Sequence, residues 1–147
     1  VFITYPYVDA KMSEVKIQTH IINEGAKDKK ATLKHIIRKG NEVVKEFSID
    51  INLPNGKEGV TSCNTVSINN PSLWSPANPS LYTLQTIISD ESGKEIDSQT
   101  NRFGIRKFEF KDNQLYINGI FTRSEPPSGI SLHRICIVRQ CTIQRCI

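Results

Sequence analysis

The sequence predicts an all-β protein, a Greek-key β-sandwich of about seven strands followed by a short C-terminal hairpin. Three observations support this prediction. Apolar residues recur at every second position in several segments. Turn-forming sequences separate these segments, and no part of the first 121 residues carries an apolar stripe at helical spacing. Each strand alone leaves its apolar face in water, whereas two sheets packed face to face bury these faces together.

The first half of the chain contains three segments with this alternation, and turn sequences follow them at residues 23–25, 39–41 and 53–56. The inward positions are Val15, Ile17, Thr19 and Ile21 in the first segment, Ala31, Leu33 and Ile37 in the second, and Phe47, Ile49 and Ile51 in the third. We expect Val15, Ile17, Leu33, Phe47 and Ile49 to be buried between the sheets. Lys16, Lys34 and Glu46 are expected to be exposed, because they occupy the alternate positions.

The second half contains three further strands. Residues 60–68 form a weaker strand, which is thinly apolar. The clearest inward face follows, and its members are Tyr82, Leu84, Thr86 and Ile88. We expect Leu84 and Ile88 to be buried between the sheets. A turn at residues 90–93 leads into the last strand, residues 96–105. Because Tyr82 lies near the start of the penultimate strand, we expect its hydroxyl group to hydrogen-bond to the backbone at the corner of the sandwich.

A separate small hairpin is predicted after the sandwich. The sequence Phe-Glu-Phe at residues 108–110 and the sequence Leu-Tyr-Ile at residues 115–117 flank the polar residues 111–114. The predicted organisation is therefore a sandwich over residues 1–106, a hairpin over residues 107–121 and a tail over residues 122–147.

The charge distribution argues against nucleic-acid binding, although the whole chain has a net charge of +4. Residues 1–121 contain twelve Lys and three Arg against fourteen acidic residues, a net of +1, and these charges are intermixed. No apolar run is long enough to span a membrane. The sequence therefore predicts neither a nucleic-acid nor a membrane partner.

No catalytic, metal-binding or cofactor-binding residue is predicted in the first 121 residues. Hydrolysis by paired carboxyl groups, for example, needs both groups held across one cleft, and the Asp and Glu residues occur mainly in turns and on polar strand faces. His20 lies on a polar face and His35 lies in register with Leu33 and Ile37, so both are interpreted as structural. No nucleophile elbow or phosphate-binding loop is present.

The tail has a different composition, with no Lys, four Arg and three of the four Cys residues. A metal site built from His133, Cys136, Cys141 and Cys146 is one interpretation, but the equal gaps between the cysteines are unlike zinc-site spacing. A disulfide between two of the cysteines is a second interpretation. We favour a third, an off-frame segment, over a genuine extension of the chain, because the amino-acid composition changes abruptly at one point.

Two motifs carry a resemblance to a known family. Leu-Trp-Ser-Pro-Ala-Asn-Pro-Ser-Leu-Tyr at residues 73–82 and Arg-Phe-Gly-Ile-Arg at residues 102–106 resemble a signature of glycoside hydrolase family 2, which includes β-galactosidases, β-mannosidases and β-glucuronidases. The resemblance covers about residues 1–121 and includes the Asn-Gly pair at residues 118 and 119. It stops where the family pattern expects Lys-Pro, since this chain has Ile-Phe-Thr-Arg at residues 120–123.

The resemblance implies an immunoglobulin-like β-sandwich that lies between a sugar-binding jelly roll and a catalytic (β/α)8 barrel. The catalytic carboxylates of the family belong to the barrel, so this domain is expected to be an inactive scaffold that orients its neighbours. Its expected partners are the other domains of the parent enzyme and a second subunit in a homo-oligomer. No cofactor is implied.

Trp74, Arg102 and Arg106 are the candidate interdomain residues. Arginine near a domain boundary often binds carbonyl and carboxylate groups of the adjoining domain; exposed surface arginines are the alternative. Trp74 packs at a sheet corner in this interpretation, whereas a sugar-binding face formed with Tyr82 is the competing one. The alternative function for the whole chain is an autonomous immunoglobulin-like binding module, with carbohydrate as the candidate ligand.

Overall fold

The computed structural model describes residues 1–112 and 114–122, and all of its regular structure is β-strand. The strands are β1 (Phe2–Tyr7), β2 (Met12–Asn23), β3 (Lys29–Lys39), β4 (Glu42–Leu53), β5 (Gly56–Asn69), β6 (Tyr82–Ser89), β7 (Glu95–Phe103), β8 (Phe108–Lys111), β9 (Gln114–Ile117) and β10 (Ile120–Phe121). Within the described part of the chain no helix is long and apolar enough to cross a bilayer.

The first seven strands form the predicted sandwich. One sheet has three strands in the order β1-β2-β5, and the other has four strands in the order β4-β3-β6-β7. Every strand pair is antiparallel. The chain crosses between the sheets after β2, again between β4 and β5, and again between β5 and β6, so strands distant in sequence become neighbours. The predicted all-β fold is therefore confirmed.

Strand β1 was not anticipated from the sequence, because its residues do not alternate and Pro6 interrupts them. A proline cannot donate a hydrogen bond to a neighbouring strand and is therefore confined to sheet edges and bulges. Strand β1 is an edge strand, and its register with β2 shifts between Thr4 and Tyr7, on either side of Pro6. The structure thus places the proline where a sheet tolerates it.

The inward faces of the two sheets form two apolar clusters with a polar layer between them. Val15, Ile17, Ile37 and Leu84 belong to one cluster, and Ile21, Leu33, Leu53 and Ile88 belong to the other. The polar layer consists of Thr19, His35 and Thr86, which occupy the intervening inward positions of β2, β3 and β6 and are all buried. The Nδ1 atom of His35 lies 3.1 Å from Oγ1 of Thr86.

Predicted burial is confirmed for Val15, Ile17, Leu33, Leu84 and Ile88. The predicted residues of β4 are less buried than expected. Phe47 and Ile49 are only half-buried. Strand β4 is the outer strand of the four-stranded sheet, and the opposite sheet has only three strands to cover it. A strand at the margin of a sandwich keeps its alternation but loses part of its cover.

The predicted exposure is confirmed for Glu46 but is incomplete for Lys16 and Lys34, which are half-buried. Long lysine side chains lie with their methylene groups along neighbouring residues while the ammonium group stays in water. The ammonium group of Lys34 lies 2.6 Å from a carboxylate oxygen of Glu46. Both partners are too exposed for this ion pair to contribute much to stability.

The predicted hairpin after the sandwich is confirmed, and it gains a third strand. Strands β8, β9 and β10 form an antiparallel sheet in sequential order, here called the small sheet. Asn118 and Gly119 connect β9 to β10 with φ angles of 54° and 78°. Two residues with positive φ form the turn that best matches the twist of a hairpin, and Asn-Gly is its preferred sequence.

Candidate interdomain junction

Tyr82 fixes the corner where the chain passes from β5 to β6. Its side chain is buried and its hydroxyl oxygen accepts a 2.8 Å hydrogen bond from the backbone N–H of Ser72. The predicted role of Tyr82 is confirmed. The same ring stacks on Phe103 of β7, with the ring centroids 5.6 Å apart. The loop over residues 70–81 is therefore attached to the last strand of the sandwich.

Trp74 lies in this loop and makes its contacts within the chain. Its backbone N–H donates a 2.8 Å hydrogen bond to the carbonyl of Ile105. Gly104 packs so closely against the indole that an added Cβ would lie 2.8 Å from Cβ of Trp74. A contact this close requires glycine at residue 104. The indole is thus packed on the segment that leaves β7, as the corner interpretation predicts.

Arg106 also contacts the indole of Trp74. Its guanidinium carbon lies 4.7 Å from the centre of the Trp74 ring and 5.2 Å from the centre of the Phe108 ring. An arginine held over aromatic rings gains a cation–π interaction of about 0.5 to 2 kcal/mol, and more with desolvation. Arg106 therefore links the Trp74 loop to the first residue of the small sheet.

Arg102 does not join this group. It lies on β7 opposite Thr83 of β6 and is exposed, and its side chain has no hydrogen bond or ion pair with another described residue. The three residues that the sequence analysis grouped thus fall into two sets, with Trp74 and Arg106 in contact and Arg102 separate.

Asn118 was missed as a functional candidate and completes the junction. Its side-chain amide donates a 2.9 Å hydrogen bond to the carbonyl of Trp74 and accepts a 2.9 Å hydrogen bond from the N–H of Lys107. Its own N–H donates to the carbonyl of Lys107 at 2.9 Å. The sequence signal was the Asn-Gly pair, which predicts a turn but says nothing about the amide's partners.

Tyr5 places β1 beside the same group. Its ring stacks on Phe103 at 6.4 Å between centroids. Burial raises the pKa of the Tyr5 hydroxyl to about 12, while the positive charge of Arg106 acts in the opposite direction. The Tyr5 phenol is therefore neutral at physiological pH and serves the packing of this corner.

Neither the carboxyl nor the histidine groups of the described residues form a recognisable catalytic arrangement. All described Asp and Glu side chains are exposed or half-exposed. Hydrogen bonds from Ser92 and Lys94 hold the pKa of Asp90 below its usual range, which is the opposite of what a general acid needs. His35 is enclosed between the sheets and His20 bonds to Thr61 on the surface. No group of three potential metal ligands occurs among residues 1–112 and 114–122.

Tyr82 cannot contribute to a sugar-binding face, because it is buried. The contacts of Trp74 with Gly104 and Arg106 also occupy part of its indole. The alternative in which the two rings form an exposed stacking surface is therefore wrong for Tyr82. The metal site suggested at His133, Cys136, Cys141 and Cys146, and the proposed off-frame origin of the tail, lie outside the described residues.

Comparisons with known proteins identify relatives of this domain. The beta-glucuronidase of Formosa agariphila is 34% identical over 121 residues, which span 79% of this chain and 12% of that protein. The beta-galactosidase of Lactococcus lactis is 41% identical over 54 residues, covering 37% of this chain and 5% of that protein. The chain thus spans only a small part of the curated relatives it matches.

The fold has solved counterparts as well. A glycosyl hydrolase family 2 member from Bacteroides cellulosilyticus superposes with a TM-score of 0.75 at 29% sequence identity, over 82% of this chain and 16% of that one. The family model "Glycosyl hydrolases family 2" matches residues 1–106, which is the whole sandwich and the start of the junction. On this match the chain belongs to glycoside hydrolase family 2.

Proposed function

We propose that this chain is a non-catalytic scaffold domain of a family 2 glycoside hydrolase. It orients a sugar-binding domain and a catalytic barrel in an enzyme that hydrolyses terminal β-glycosides. Trp74 and Arg106 set the direction in which the polypeptide leaves the sandwich. The observation that carries the proposal is the junction itself, in which one loop of the sandwich holds the outgoing segment at Ile105, Arg106 and Asn118.

The identity of the relatives supports the same proposal. One relative is named a beta-glucuronidase and another a beta-galactosidase. The two names refer to different sugars, yet both proteins contain a segment similar to this domain. A domain that contacted the sugar ring at the reacting centre would be expected to differ between them. A scaffold is free of that requirement, since function resides in the site rather than in the fold that carries it.

The first test measures hydrolysis by this chain alone. We expect no release of aryl alcohol from aryl β-glucuronides, β-galactosides or β-mannosides above a control without enzyme. A retaining glycosidase needs a nucleophilic carboxylate and an acid–base partner about 5 Å apart in one cleft. Turnover that disappears when one described Asp or Glu is changed to its amide would overturn the proposal.

The second test asks whether the domain supports catalysis by a barrel. The segment of the Formosa agariphila beta-glucuronidase that aligns with this chain is replaced by the matching residues of this chain. We expect the chimera to hydrolyse an aryl β-glucuronide, and the same chimera with Gly104→Val to lose most of that activity. Thr100→Val, at an exposed position of β7, is the matched control and should keep it. A folded chimera that is inactive in every form would contradict the scaffold role.

A further inference from the structure

The small sheet is attached to the sandwich through few groups. Neither β8 nor β9 nor β10 pairs with a strand of the sandwich. Phe110 and Ile120 on its surface are each 71% exposed, so they contribute little cover. The attachments that the structure does show are the Ile117 side chain of β9, which is only 6% exposed, the Arg106 stack, and the hydrogen bond from Asn118 to Trp74. The orientation of the small sheet therefore depends on one buried apolar side chain and a small set of directional contacts.

Asn118 forms more hydrogen bonds than a residue needs in order to adopt a turn conformation. Its backbone and side chain together form two hydrogen bonds with Lys107, just before β8, and its side chain forms a third with Trp74. These bonds join three segments that are separate in sequence, namely the loop over residues 70–81, the linker over residues 104–107 and the β9–β10 turn. Trp74 is in turn bonded to Ile105.

The chemistry of this position selects asparagine over other residues. A φ of 54° is tolerated by Gly, Asn and Asp better than by other residues. Among these three, only asparagine has a side chain that accepts one hydrogen bond and donates another. Aspartate retains the acceptor for the N–H of Lys107 but lacks the donor for the carbonyl of Trp74. Glycine retains the turn and loses both bonds.

We infer that Asn118 is a positioning residue, which locks the small sheet in one orientation on the sandwich by binding Trp74 and Lys107 together. The inference goes beyond the scaffold proposal and is independent of it, because the lock is a property of this chain whatever domain follows. In a scaffold, the same lock would transmit the orientation of the sandwich to the segment beyond β10.

The test uses Trp74 as the reporter, since it is the only tryptophan in the chain. The variants are Asn118→Gly and Asn118→Asp in the full chain. The matched control is Asp112→Gly, which removes a side chain at another position of positive φ in the small sheet, where the described residues provide the side chain with no hydrogen-bond partner. Acrylamide quenching of Trp74 fluorescence and hydrogen exchange of the Lys107 amide are measured for each protein.

Asn118→Gly is expected to increase the quenching constant and to speed exchange of the Lys107 amide about tenfold, the equivalent of one lost hydrogen bond. Asn118→Asp is expected to increase quenching while the Lys107 amide stays protected, because its acceptor remains. Asp112→Gly should match the parent chain in both. The inference is overturned if Asn118→Asp leaves Trp74 quenching unchanged or if Asp112→Gly changes it equally. If Asn118→Gly does not fold, Trp74 quenching in Asn118→Asp, compared with Asp112→Gly, still tests the inference.

Discussion

The sandwich and the small sheet are both antiparallel, but they are stabilised in different ways. In the sandwich, the inward faces of two sheets bury Ile17, Leu33 and Leu84 completely. In the small sheet, one face carries Phe108, Phe110, Leu115 and Ile117 by register; Ile117 is buried, whereas the two phenylalanines are exposed. The same alternation is thus present in both regions, but the sandwich, which has a second layer, buries whole strand faces, whereas the apolar face of the small sheet buries only Ile117.

The two regions differ in what holds them in place. The sandwich is held by core packing, whereas the small sheet keeps its orientation through the buried Ile117 side chain and the contacts of Trp74, Arg106 and Asn118. Directional contacts of this kind are individually modest, each about 0.5 to 1.5 kcal/mol for a hydrogen bond. The junction is therefore the place where the scaffold proposal is most sensitive to single substitutions.

The largest predicted effect separates the two regions directly. Leu33→Ala is expected to lower the free energy of unfolding by about 2 to 5 kcal/mol, since it removes buried methyl groups and leaves a cavity. Phe110→Ala removes a larger side chain from the small sheet, but the expected loss is within about 0.5 kcal/mol because that side chain is exposed. Urea unfolding followed by far-ultraviolet circular dichroism measures both. Equal losses would remove the distinction between the regions.

A second prediction concerns the polar layer of the sandwich. Burial lowers the pKa of His35 to about 4, against about 6.5 in the unfolded chain. The unfolded chain therefore binds the proton first as the pH falls, and stability that is complete above pH 6.5 is lost between about pH 6.5 and 4. The loss attributable to His35 is on the order of 3 kcal/mol.

Urea unfolding at several pH values tests this assignment. His35→Leu should flatten the pH dependence over this range, while His20→Gln, at an exposed histidine, should leave it as in the parent chain. An unchanged slope in His35→Leu would show that His35 does not carry the effect.

A smaller effect is expected at the corner that leads to the junction. Tyr82→Phe keeps the ring that stacks on Phe103 and removes only the acceptor for the N–H of Ser72. The expected loss is about 1 kcal/mol, the usual cost of one hydrogen bond with a partly buried partner. Tyr116→Phe is the control in the small sheet, since its hydroxyl bonds only to exposed Gln114. Thermal unfolding should distinguish the two variants, and equal melting temperatures would contradict the role of Tyr82.

The sequence predicted the sandwich well because period-two alternation reports directly on a buried face. All of the inward positions expected on β2, β3 and β6 are buried, including Ile17 and Leu84. The half-burial of Phe47 could not be predicted, since alternation does not reveal that β4 is at the margin of its sheet. Strand β1 was missed because Pro6 breaks the local pattern and only the edge position makes it acceptable.

The junction was predicted less completely. Trp74 and Arg106 were identified from motifs, yet the sequence gives no spacing rule that connects Trp74 to Asn118, which lies 44 residues away. Arg102 was grouped with Arg106 because both occur in one motif, but they have different environments. Side-chain hydrogen bonds between distant loops depend on the assembled fold, so local pattern carries no signal for them.

Native-state hydrogen exchange of the intact chain tests the contrast between the two regions most directly. Amides in β2, β3 and β6 are expected to exchange only through global unfolding, with equal free energies of opening. Amides that bond β8 to β9 are expected to open at a clearly lower free energy, and Asn118→Asp should lower it further without changing the sandwich. Equal protection in the two regions, or a sandwich that opens before the small sheet, would contradict this account.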